Sequence, residues 1–260
     1  MNKFQKDFVR KGYSIIKPKS IKEINKLHKF IVLNLKKKNL KKISNNLNKL
    51  NKYLSKENVN TNRLHLFNKI NKSKKFQEQY FKIFQPYLSK LIGDDISKQK
   101  KINLNIQLPN DFNSTLDLHS DTFAGESPYE VITWLPLTSV YKTNSMYIFP
   151  LNTSKKIISK IRKYNKIGTD KILDDYKNNL NFLKMNYGEI LIFSANLMHG
   201  NKVNLTKNTR LSLNCRFKNT FSPRNIINSS NHIVNIFENK TKSASAKVAE
   251  NFEKLKIYEK

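Results

Sequence analysis

Hydrophobic and polar positions alternate strictly in "INLNIQLP": Ile102, Leu104, Ile106 and Leu108 share one parity, and Asn103, Asn105 and Gln107 share the other. A period of two puts the sets on opposite faces of a β-strand. The polar face suits an isolated amphipathic strand and the polar lining of a barrel equally well. "TRLSLNCRF" repeats the pattern, with Leu211, Leu213, Cys215 and Phe217 on one face and Arg210, Ser212, Asn214 and Arg216 on the other. Further strands are predicted at "TLDLHSD", "EVITWLPL", "SMYIFP" and "YGEILIFSA", the last opened by Gly188.

Before Ile102 the period is mostly helical. "GYSIIK" reads as a short strand entered through Gly12 and closed by Pro18. "SIKE" then offers a capping box of Ser20 and Glu23, followed by Ile21, Ile24, His28, Ile31 and Leu35 at helical spacing. His28 is read as a core-edge histidine and His65 as structural. The Lys/Asn-rich stretch from Lys36 to Lys75 reads as further helix. A helical insert over about 153–184 interrupts the strands, and an amphipathic helix runs from about Ala244 to Ile257.

Many short strands with flanking helices predict a mainly β fold: a double-stranded β-helix (jelly roll, cupin-like) core behind a helical N-terminal third. The 260 residues suit one domain, with 1–101 mostly helical, 102–221 the jelly-roll core and 222–260 a tail with a helix.

Charge changes this picture less than its size suggests. The 49 Lys and Arg against 19 Asp and Glu give a net charge of +30, which by itself points to nucleic acid or an anionic membrane. The Lys, however, comes with excess Asn and Ile and only six Gly, a compositional drift independent of function. From Asn103 to Ser154 the only basic residue is Lys142, amid Asp111, Asp117, Asp121, Glu126 and Glu130. A solvated, Lys-rich exterior is therefore preferred over a nucleic-acid footprint. The single cysteine, Cys215, excludes an internal disulfide and suits a reducing cytoplasm. No apolar run suits a signal peptide or approaches the roughly 18 residues of a membrane span. A cytoplasmic protein without a membrane partner is expected.

Candidate chemistry begins at "DLHSDTF". On a strand, His119 and Asp121 at i and i+2 point the same way and can reach one metal ion, although the spacing alone is common. His199, beside Gly200 at the end of "GEILIFSANLMHGN", supplies a second imidazole. Two imidazoles and a carboxylate are the facial triad that holds Fe(II) with positions left open. Arg210 on the polar face of its strand needs an anion, because a buried unpaired charge is costly. A dicarboxylate cosubstrate would serve, and so would an internal salt bridge to Asp117 or Glu130. Asn103, Asn105 and Gln107 are read as cosubstrate or substrate contacts or simply as satisfied lining. Trp134 and Tyr147 are read as core aromatics or as contacts, and Glu126, Ser127 and Tyr129 form a Gly/Pro-marked loop of the kind that holds substrate.

His119-x-Asp121, His199 and Arg210-x-Ser212 together resemble the Fe(II)/2-oxoglutarate dioxygenases, specifically the phytanoyl-CoA dioxygenase-like family. "HSDTFAGESPYEVITWLPL", "NSMYIFP" and "GEILIFSANLMHGN" look closest to a subgroup found in carbohydrate-biosynthesis clusters, among relatives of a streptomycin-cluster oxygenase. The resemblance covers most of 4–30 and 102–225. Leu151-Asn152-Thr153 departs from the family's usual Gly-Ser-His. The resemblance implies that His119, Asp121 and His199 ligate iron and that Arg210 and Ser212 hold 2-oxoglutarate; beside it, the reading of the residues adds Asn103 as a cosubstrate contact and Glu126, Ser127, Tyr129 and Trp134 as substrate contacts. It implies an oxidoreductase that uses 2-oxoglutarate and O2 to hydroxylate or oxidise a sugar, nucleotide-sugar or other small polar metabolite. Related halogenases replace the carboxylate with a small residue, so Asp121 favours oxygenation. The competing expectations are an idle basic barrel that binds nucleic acid or an acidic glycan, and an oxygenase of a lipid or acyl-CoA.

Overall fold

A computed structural model describes residues 1–35, 46–161, 169–223 and 236–253. Its largest sheet runs in the order β1 (Tyr13–Ile16), β7 (Ile190–Ser194), β4 (Val131–Pro136), β9 (Arg210–Asn219), β2 (Ile96–Gln99), β10 (Phe237–Asn239), all antiparallel. β9 is long enough to take two partners along one edge. β3 (Asn103–Gln107) pairs with its first half, from Gln107↔Arg210 to Asn103↔Asn214, and β2 pairs with its second half. The smaller sheet is β6 (Asn181–Phe182), β5 (Met146–Ile148), β8 (His199–Asn201).

Alternation along these strands divides the interior. Ile190 and Ile192 of β7 and Leu211, Leu213, Cys215 and Phe217 of β9 face helices α2 (Lys22–Leu33), α3 (Lys56–Lys72) and α4 (Lys74–Ile92), with which they share one apolar cluster. Tyr80 of α4 closes that layer, its hydroxyl 2.9 Å from Thr133 Oγ1 of β4. The opposite parity, Ile132, Trp134, Leu191 and Phe193, meets Met146 and Ile148 of the smaller sheet. β4 is consequently buried on both faces. α1 (Lys3–Lys11), α5 (Leu151–Ser159), α6 (Thr169–Asp175) and α7 (Ala244–Glu253) are the other α-helices among the described residues. The result is the expected mainly β core with a helical N-terminal region.

Three local expectations need correction. "TLDLHSD" is not a strand: a 3-10 turn (Phe112–Ser114) and a loop lead to His119, which makes one isolated bridge to His199, and a second 3-10 turn (Asp121–Ala124) follows. The Ser20 capping box does not form. Ile21 is the N-cap of α2, and Ser20 Oγ accepts only from Lys22 N, at 3.2 Å. His199 does not end the strand begun after Gly188 but opens β8 in the other sheet. Within the expected insert and C-terminal helix, residues 162–168 and 254–257 lie outside the described residues, as do 36–45 of the Lys/Asn-rich stretch. His28 sits at the core edge, its ring edge-on to Tyr187 at 5.6 Å.

Candidate active site

His119 and His199 face each other across a reciprocal backbone pair: His119 N donates to His199 O at 3.0 Å and His199 N to His119 O at 2.8 Å. Residues paired in this way present their side chains on the same face, and the ring centroids are 4.3 Å apart. Ser120 is extended at φ −122° and ψ 146°, so Asp121 returns to the side of His119 although no strand continues. One potential ligand atom from each of His119, Asp121 and His199 lies within 4.8 Å of the others.

The remaining ring atoms are already committed. His119 Nδ1 lies 2.7 Å from Asp117 O, and His199 Nδ1 lies 2.9 Å from Leu197 O. A carbonyl only accepts, so each Nδ1 carries the proton and each Nε2 is left with the lone pair a metal takes. His199 Nε2 stands 3.9 Å from Asp121 Oδ2. Burial above all pushes the His199 imidazolium down to about 4, against the opposing pull of Asp121, so the ring is neutral at physiological pH, as a ligand must be. Asp121 Oδ1 is occupied separately by Arg216 Nη2 at 2.5 Å, while Arg216 Nη1 reaches Glu126 Oε1 at 3.4 Å. Beside this pair, Glu130 is buried and its carboxyl is pushed up to about 8, first by burial and then by Glu126.

Arg210 lies 3 % exposed at the start of β9. Its Nη2 donates to Asn105 Oδ1 at 2.9 Å and its Nη1 reaches Asn144 O at 3.5 Å; Nε has no hydrogen-bond partner among the described residues. Neither Asp117 nor Glu130, nor any other described carboxylate, forms an ion pair with it. Burial pulls the guanidinium down to about 10, leaving it charged with only neutral partners. It lines a cavity of about 510 Å³ together with Ser212, Asn214, Asn105, Trp134 and His199.

Of the other expected positions, Asn103 shares the polar face of β3 but does not line this cavity. Tyr147 is core, packed edge-on against Phe149 and Phe182. Glu126 pairs with Arg216, Ser127 Oγ donates to Pro223 O at 2.7 Å, and Tyr129 is exposed; none of the three lines the cavity. Two features escaped the sequence reading. The grip of Arg216 on Asp121 was readable only as far as its parity on β9. For the contribution of α3, Lys56, Asn60 and Arg63 at the cavity mouth, the sequence held no signal.

No protein-family profile matches the chain, and no curated protein resembles it significantly. Solved structures do. EctD from S. alaskensis with 2-oxoglutarate and 5-hydroxyectoine aligns at a TM-score of 0.56 with 15 % identity, over 84 % of this chain and 76 % of that one. HygX from Streptomyces hygroscopicus with nickel and 2-oxoglutarate bound aligns at 0.56 with 12 % identity, over 86 % and 89 %. The fold is a double-stranded β-helix. The carbocyclase SnoK from nogalamycin biosynthesis, non-haem and α-ketoglutarate dependent, shares this double-stranded β-helix over 94 % of both chains, at a TM-score of 0.55 and 10 % identity. At these identities the alignments show a common fold alone. Among the described residues no helix is long and apolar enough to cross a membrane.

Proposed function

We propose that the chain, as one oxygenase domain, is a non-haem Fe(II)/2-oxoglutarate-dependent dioxygenase. The observation that carries this reading is a two-histidine, one-carboxylate donor set whose His199 lines the same cavity as a buried guanidinium with no anion of its own. His119 and His199 would hold iron through Nε2 and Asp121 through Oδ2, the atoms that their other hydrogen bonds leave free. Arg210, with Ser212 and the nearby Asn103 and Asn105, would take the distal carboxylate of 2-oxoglutarate, which a planar guanidinium grips well. That carboxylate would supply the partner that Arg210 Nε lacks among the described residues. Bound there, iron and 2-oxoglutarate would supply the oxidising power, drawn from O2 with conversion of 2-oxoglutarate to succinate and CO2, for oxygenating the substrate. Trp134 and Phe193 exclude water from the His199 side, and Arg216 fixes the Asp121 rotamer.

The substrate is read as a sugar, nucleotide-sugar or other small polar metabolite, consistent with the amides and hydroxyls of Asn105, Asn201, Ser212 and Asn214 in the cavity lining. Asp121 fills the position that a halide would need, so hydroxylation or a related oxidation is the reaction type. Glu126, Ser127 and Tyr129 belong to the loop after Asp121 and would act on substrate through that loop.

Anaerobic addition of Fe(II) and 2-oxoglutarate should produce the visible charge-transfer absorption of the chelated complex. His119→Ala and Asp121→Ala should each remove it. A wild-type protein that stays colourless under these conditions is not such an enzyme.

A further inference from the structure

Only six of the 49 basic residues are arginine, and Arg63, Arg210 and Arg216 all stand at the cavity or at its metal-binding candidates. Compositional drift accounts for abundant lysine but not for this placement. Arg63 belongs to α3, where Lys56, Asn60 and Arg63 recur at i, i+4 and i+7 and so share one helical face. Val59 and Leu66 anchor the helix in the core. This face forms the outer wall of the cavity whose inner end is Arg210.

The Arg63 fork is oriented in advance. Its Nε and Nη2 both donate to Asn60 Oδ1, at 3.1 and 2.9 Å, which fixes the plane while leaving the charge uncompensated. Among the described residues neither Lys56 nor Arg63 enters an ion pair with a carboxylate. Asn113, Ser114 and Thr115 add polar groups near them. The only carboxylate in the lining, Asp111, is buried and turned into its own loop, with Oδ1 accepting from Asn113 N at 3.1 Å. Near His199, by contrast, Trp134, Met146 and Phe193 make an apolar wall. The volume of about 510 Å³ falls within the range of about 300–1,000 Å³ typical of sites for whole metabolites, so a small dicarboxylate at Arg210 leaves the outer part free.

We infer that the primary substrate is an anion, whose phosphoryl or carboxyl group docks on Arg63 and Lys56 at the outer end of the cavity while its uncharged reacting part lies against the apolar wall beside His199. This rests on the oxygenase reading and narrows its substrate class. An oriented guanidinium loses little freedom on taking an oxyanion, and an ammonium two helical turns away adds charge without demanding a particular geometry.

The test uses full-length protein loaded with Ni(II) and saturating 2-oxoglutarate, so that the Arg210 end is filled. Glucose 6-phosphate, glucuronate and glucose are titrated calorimetrically at constant ionic strength into wild type and the Lys56→Gln/Arg63→Gln double variant, both exchanges lying on the helix surface. At least one of the two anions should bind wild type while glucose does not. That binding should weaken about tenfold or more in the double variant, with 2-oxoglutarate affinity held within about twofold. Which anion binds tells phosphoryl from carboxyl. Binding of neither anion, glucose binding as tightly as the anions, or equal anion affinity in both proteins would overturn the inference. So would a parallel loss of 2-oxoglutarate affinity, which would assign these cations to the cosubstrate. Failure of wild type to take up Ni(II) and 2-oxoglutarate at all would remove the oxygenase reading and this inference with it.

Discussion

Arg216 commits one arm of its fork to each of two carboxylates, Asp121 at 2.5 Å and Glu126 at 3.4 Å. A cation beside a metal ligand has two opposed effects: it repels the incoming metal, and it fixes the ligand's orientation. Glu126 neutralises the first effect, so orientation should prevail. Arg216→Met is therefore expected to weaken Co(II) or Fe(II) binding about 10–100-fold, the usual cost of losing a partner that orients a ligand. Arg216→Lys should recover only part of it, since a single ammonium cannot reproduce the fork. Anaerobic metal titration, with unfolding temperature as a check on folding, measures both; unchanged metal affinity in Arg216→Met would make the contact merely structural. Reading the sequence placed Arg216 on the polar face of its strand and went no further, because its partner lies 95 positions away and is brought near only by the fold.

At the scale of elements, the strands that could be read were those buried on at least one apolar face. β3 and β9 announce themselves through apolar residues at every second position, Leu104 and Ile106 in one and Leu211, Leu213, Cys215 and Phe217 in the other, and the same alternation carries Arg210, Ser212 and Asn214 to the cavity. β2, "ISKQ", gave no such signal because its central Lys98 is fully buried with its ammonium on backbone carbonyls, Gln99 O at 2.7 Å. The segment carrying His119 misled for a different reason: only the His119–Ser120 stretch needs to be extended before the 3-10 turn that begins at Asp121, and a single bridge to β8 holds it there. Gly200 makes that bridge possible. A Cβ at this position would lie 2.5 Å from the Tyr147 hydroxyl and 2.8 Å from Leu116 O, and Leu116 O itself accepts from Asn201 N at 3.0 Å. Gly200→Ala should push the strand-like segment off β8, costing about 1–3 kcal/mol of stability and loosening metal retention through His119. Thermal unfolding and metal titration report the two effects; an alanine variant unchanged in both would show that this segment can shift freely.

The whole molecule is layered: helices cover one face of the larger sheet, the smaller sheet covers the other, and the candidate site lies in the second gap, where apolar packing gives way to polar lining. Placing a guanidinium there with amide and carbonyl partners but no anion sets stability against ligand binding. Desolvation pulls Arg210 down to about 10, and its Nε remains without a partner. Replacing a buried ion pair with apolar side chains of similar volume is often neutral or stabilising by about 1–4 kcal/mol, and Arg210 carries the same kind of desolvation cost without a counter-ion to offset it. Arg210→Met should therefore unfold at a temperature equal to or higher than wild type without ligands, by roughly 2–4 °C for each kcal/mol gained. The wild-type, Ni(II)-loaded protein should gain further stability as 2-oxoglutarate is added, in proportion to the logarithm of its concentration above Kd, and the methionine variant should gain none. Scanning calorimetry over a series of 2-oxoglutarate concentrations separates these behaviours. An Arg210→Met protein that is less stable than wild type without ligands, and still stabilised by 2-oxoglutarate, would mean that Arg210 serves packing and that the dicarboxylate binds elsewhere.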